Sequence, residues 1–136
     1  MESHFDISDA LLEAQFRAGI LPPAVFSHEA HLRLAWIHIR HYGVETAIEN
    51  VCSQLKAFVK TVGAEEKYNE TLTVAAIRAV YHFMLKSEAT DFSSFIQQYP
   101  RLKYNFKDLM ASHYKMDIYN NPFAKLQYIV PDLLPF

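Results

Sequence analysis

The stretch SHEAHLRLAWIHIRHYG, from Ser27 to Gly43, decides the fold class. Ser27 carries a side-chain oxygen suited to an N-cap, Glu29 places a negative charge in the first turn, and Gly43 ends the pattern. Between them His28, His31, Leu32, Ala35, Ile39 and Tyr42 recur every three or four positions, the spacing of one helical face. Leu34, Trp36 and Ile37 widen that stripe, so the helix is expected to be central.

Working outward, the same signals mark its neighbours. A helix is expected from about Asp6 to Ala18, with Ala10, Leu11, Ala14 and Phe16 supplying apolar surface; Gly19 stops it and Leu21-Pro22-Pro23 forms the connection. A third spans Val44 to Val62, with Ala47, Val51, Leu55, Phe58 and Val62 inward and Gly63 as its stop. Asn69 or Thr71 caps a fourth that runs to about Lys86, with Glu70, Thr73, Val74, Ile77, Tyr81 and Met84 on one face. A short helix follows Asp91 and ends before Pro100, and a sixth runs from about Leu102 to Tyr114. The tail from Met116 has a turn at Asn120-Asn121-Pro122 and an extended, Pro-punctuated end whose apolar residues should hold it against the body. The expectation is an all-α protein: one domain, residues 1–136, a compact bundle of five or six helices with an irregular C-terminal tail packed on it.

Composition narrows the function classes. Of the 136 residues 51% are hydrophobic and 21% charged, enough to bury a core. The formal charge is −2 with no run of basic residues, so nucleic acid is not an expected partner. No apolar stretch approaches the ~20 residues of a membrane span, and the opening MESHFDISD lacks the basic-then-apolar order of a secretory signal. A single cysteine, Cys52, excludes an internal disulfide. A cytoplasmic protein without a membrane partner is the expectation.

Ionisable residues stand where apolar ones are cheaper to bury. His28 and His31 open one inward stripe, and Glu70, with Thr73 one turn on, opens another. Short connections favour antiparallel neighbours, so the second and fourth helices are expected to run parallel with their N-termini at the same end. The sixth helix would return His113 and Tyr114 to that end. Positive helix N-termini favour an ionised Glu70 and neutral histidines, the protonation states that a divalent metal needs. Two His and one Glu leave a coordination position open, as in catalytic sites, and their softness favours zinc or iron over magnesium. In this reading His28, His31 and Glu70 hold the metal. Alternatively Glu70 acts as general base on the metal's water rather than completing the site, and His113 or Tyr114 is a secondary proton donor.

Each residue also has a purely structural reading. Paired histidines can hydrogen-bond backbone, Glu70 can complement its helix dipole, and Thr73 can bond its own helix. His38 and His41 read as edge or outer-face residues, and His4 and His82 have no supporting constellation. Cys52 reads as an inert buried thiol. His28-Glu29-Ala30-His31 is one residue short of the zinc-protease helix pattern, and no Glu-x-x-His, phosphate loop or nucleophile elbow is present.

The segments GILPPAVFSHEAHLRLAW (Gly19 to Trp36), KYNETLT (Lys67 to Thr73) and the terminal VPDLLPF resemble a family of small, helical, mainly bacterial proteins of undefined function. Its pattern is a Leu-Pro turn, F-x-H-x-x-H-L at a helix start, then Tyr-His-Glu-Thr before another helix. His28, His31, Glu70 and Thr71 match, whereas Asn69 stands where the pattern has His, a departure that bears on any three-histidine site. The resemblance implies that the two polar helix starts form a unit and implies no reaction.

Three functions stay open at this point: a metal-assisted enzyme acting on a small molecule, a non-catalytic module binding a small ligand in the same pocket, and an interaction protein. In the last, the aromatic tail or the outer side of the second helix forms a subunit contact, as in a homo-oligomer.

Overall fold

Side-chain caps begin most of the helices, and the computed structural model, which describes residues 1–136, shows what each cap holds. Helix makes up 68% of the chain and there is no strand, so the fold is all-α. Eight α-helices are present: α1 Asp9–Ala18, α2 His28–Tyr42, α3 Val44–Thr61, α4 Glu70–Met84, α5 Phe92–Gln98, α6 Arg101–Tyr104, α7 Phe106–His113 and α8 Pro122–Leu126. Three short 3-10 turns, at Ser3–Asp6, Pro23–Val25 and Glu65–Lys67, join or precede them. No helix is long and apolar enough to cross a membrane.

The chain divides into two compact units, Met1–Tyr68 and Asn69–Phe136. In the first, α2 lies mainly against α3, and α1 packs on both. Ser8 caps α1 through Leu11 N–H (3.1 Å) and Ser27 caps α2 through Ala30 N–H (3.1 Å). One residue, Gly43, turns the chain between α2 and α3. Its N–H donates to Ile39 O, its carbonyl accepts from Ala47 N–H, and its φ of 83° with ψ of 165° is a conformation that a side chain would strain. The core here includes Leu12, Phe16, Leu32, Leu34, Ile37 and Val51. Phe16 is in ring contact with Phe26 and Phe58, at 4.9 and 5.2 Å between centroids.

The first helix begins at Asp9 rather than Asp6, because residues 3–6 form a separate 3-10 turn. Its buried residues are Leu12, Glu13 and Phe16, and Leu11 is exposed. The buried face is thus rotated from the one expected, and it carries a carboxylate.

In the second unit α4 is buried over most of its circumference, with Thr71, Thr73, Val74, Ala75, Ala76, Ile77, Ala79 and Val80 all inside. Small residues on several sides let neighbours approach, and α8 packs against it. Asp91 caps α5 through Ser94 N–H (2.8 Å).

The structure has more helices than the five or six expected, for two reasons. The expected sixth helix breaks at Asn105 (φ −129°, ψ 34°) into α6 and α7 without any Gly or Pro to announce it. The expected turn at residues 120–122 is the start of α8: Asn121 Oδ1 accepts from Phe123 and Ala124 N–H, and Pro122 occupies the first turn, where no N–H is required. Beyond α8 the tail does lie against its own unit. Thr71 Oγ1 donates to Gln127 O (2.9 Å) and accepts from Ile129 N–H (3.0 Å). Tyr114 OH donates to Ile129 O (2.7 Å) and Leu133 N–H to His113 O (2.9 Å).

Candidate functional site

The first turn of α2 holds the two histidines singled out from the sequence. His28 is exposed, a correction to its expected inward position, and His31 is partly buried. Nε2 of His31 is shielded from solvent and has no hydrogen-bond partner. The His31 ring lies 5.5 Å from that of Phe26, on the loop that feeds the helix. Burial, and after it the charge of His28 one turn away, push the His31 imidazole down to about 4. It is therefore neutral at neutral pH. A neutral imidazole with an unpartnered nitrogen can coordinate a metal or bond a ligand without first losing a proton.

Glu29, between them in sequence, points elsewhere and is the buried member of the turn, at 4% exposure. Its Oε1 lies 2.7 Å from Nε2 of His4, which is completely buried. Glu2 Oε1 is 4.0 Å from the same nitrogen and accepts a short hydrogen bond from Ser27 Oγ. Potential ligand atoms of Glu2, His4 and Glu29 all lie within 4.8 Å of one another, a separation that a metal ion could bridge.

Arg33 argues for a different use of this cluster. Its NH1 lies 3.3 Å from His4 Nδ1 and 2.5 Å from the His4 carbonyl, while NH2 reaches Ile7 O (2.9 Å) and Asp9 Oδ1 (2.8 Å). A guanidinium only donates, so Nδ1 accepts and Nε2 carries the proton given to Glu29. A metal on Nε2 would require that proton to move to Nδ1, aiming an N–H at a cation. The cluster is therefore a charge-assisted clamp that ties the N-terminal turn to α2. Sequence reading missed it, because a lone His in the opening residues carries no local signal of a partner at position 29.

A second buried polar group surrounds the C-terminal half of α2. His38 is 1% exposed, against the expectation of an edge position. Its Nδ1 lies 3.4 Å from Asn50 Nδ2 and its Nε2 has no partner. Glu13, also buried, accepts from Tyr42 OH at 2.5 Å. Desolvation is the main cause that lowers the His38 pKa, opposed by Glu13 and assisted by His41 and Arg17.

The remaining expected site residues belong to the second unit. Glu70 is half-buried in the first turn of α4, and Thr73 Oγ1 bonds back to Asn69 O (2.8 Å), the structural role weighed for it. Asn69 is engaged at both ends of its amide: Oδ1 caps α4 through Leu72 N–H (3.0 Å) and Nδ2 donates to Ile118 O (2.8 Å). His113 Nδ1 is 2.7 Å from Leu134 O and its ring stacks on Phe136 at 4.0 Å. Since a carbonyl only accepts, that nitrogen carries the proton. Tyr114 is buried with its proton directed at Ile129 O, and desolvation, then the bond to Tyr128, raises its pKa. Cys52 is a buried thiol outside any disulfide, as expected. No protein-family model, curated protein or solved structure matches the chain.

Proposed function

We propose that the protein is a small metal-assisted enzyme acting on a small molecule, with the first turn of α2 as its metal-holding element. The observation that supports this is the unpartnered, solvent-shielded Nε2 of a neutral His31, one helical turn from His28. In this reading His31 is the inner ligand and the exposed His28 the outer one. Two imidazoles favour zinc or iron and leave room for water or substrate, and a metal so held would supply an activated water. The carboxylate expected from Glu70 belongs to the other unit and is tested separately, by Glu70→Gln.

The test is element-specific mass spectrometry of protein purified without an affinity tag or chelator, beside the His31→Ala variant, with circular dichroism to confirm helicity. Near-stoichiometric zinc, iron or manganese, lost in a variant that keeps its helicity, is the expected result. No metal even after reconstitution overturns the reading and leaves the non-catalytic ones standing.

A further inference from the structure

The ends of α4 and α7, the start of α6 and the last residues of the tail enclose an open groove in the second unit. His82 and Lys86 line it from the α4 side, Arg101 from the first position of α6, and His113 from the last turn of α7. No Asp or Glu side chain lines it. Cations near helix C-termini are common, because they complement the helix dipole, and this accounts for Lys86 and His113. Arg101 lies in the single turn of α6 and counts among its last-turn cations as well, so what sets the groove apart is that cations from three helix ends meet there with no carboxylate. Neither Lys86 nor Arg101 has an ion-pair partner.

The His82 pKa is lowered first by burial and then by Lys86 and His113, so at neutral pH its ring is uncharged and offers this surface a hydrogen bond rather than a charge. His113 is fixed in orientation by its bond to Leu134 O and its stack on Phe136. Beside these groups the groove offers the apolar surface of Phe83, Leu109 and Phe136.

We propose that this groove binds a small organic phosphate monoester, its dianionic head between Lys86, Arg101 and the two histidines and its apolar body against Phe83 and Phe136. Several basic groups without a carboxylate suit a dianion better than a single charge, and Arg forms paired bonds to phosphate oxygens. The proposal is independent of the metal reading.

Phenyl phosphate, inorganic phosphate and phenol are titrated into the full chain by calorimetry, in the presence of a chelator, and into Arg101→Gln, Lys86→Gln and His31→Ala variants. Amide resonances of residues 112–114 and 133–134 are followed in parallel. Saturable binding of phenyl phosphate is expected, weaker for inorganic phosphate and absent for phenol. Each exposed-cation variant should lose about tenfold in affinity, and His31→Ala none. The idea is overturned by the absence of saturation up to ~10 mM phenyl phosphate, by wild-type affinity in the Arg101→Gln and Lys86→Gln proteins, or by shifts confined to other residues.

Discussion

His4 Nε2 lies 2.7 Å from Glu29 Oε1, joining residues 25 positions apart with neither side chain exposed. Arg33 closes the arrangement by contacting both the ring and the carbonyl of His4. Glu29→Leu leaves the buried His4 without its carboxylate, while Arg33 keeps Asp9, and should cost about 3 kcal/mol in urea unfolding. Glu2→Gln, at a side chain 34% exposed, should cost less than about 1 kcal/mol. Equal effects would show that the clamp does not depend on burial.

Backbone conformation distinguishes two of the glycines. Gly43 combines φ 83° with ψ 165°, whereas Gly19 is left-handed helical at φ 73°, ψ 22°. Both have open space where a Cβ would go, so strain alone decides the outcome. Gly43→Ala should lower stability by about 2 kcal/mol, and Gly19→Asn by less than about 1 kcal/mol. The two denaturation midpoints check this directly.

Thr71 pins the tail through one hydroxyl that donates to Gln127 O and accepts from Ile129 N–H. Thr71→Val keeps the shape and removes both bonds. Stability should fall by about 1–2 kcal/mol. Amide exchange at Ile129 should accelerate by more than exchange within α4; a uniform acceleration would argue against a local role.

Acid should weaken the fold through His38. Burial holds its folded pKa below the ordinary 6.5, so between the two values the unfolded chain carries more protons. Stability is therefore lost as pH falls through 6.5 toward the folded value, and is insensitive to this group above it. His38→Leu should flatten that part of the pH profile, and an unchanged slope in urea midpoints between pH 7.5 and pH 5 would exclude His38 as a contributor.

A metal at His31 should also register as stability. Zinc added to metal-free protein at a hundred times its Kd should stabilise by about 2.7 kcal/mol, through mass action. Thermal unfolding of the wild-type protein should shift upward with zinc, while His31→Ala should not respond.

Legibility followed the range of the interactions. The caps at Ser27, Asn69 and Asp91 and the stops at Gly19 and Gly43 were readable, because each is a contact within about one helical turn. The break at Asn105 was not, since no residue there forbids helix. The pairing of His28 and His31 was visible as spacing, but which neighbour turned inward was not. Helical periodicity defines a face only to within about one residue, or roughly 100° of rotation. Glu29 can be buried because His4, itself held by Arg33, arrives from the N-terminal turn to satisfy it.

The amino-acid sequence by itself therefore determined the helical class, most helix ends and the existence of a histidine-bearing first turn in α2. These follow from capping chemistry and from hydrophobic spacing along neighbouring residues. Only the tertiary structure decided that His4 and His38 are buried, that Glu29 rather than His28 faces inward, and that Thr71 holds the tail. Those outcomes rest on hydrogen bonds between residues as far as 58 positions apart. A polar side chain can be buried only where a distant segment supplies its partner.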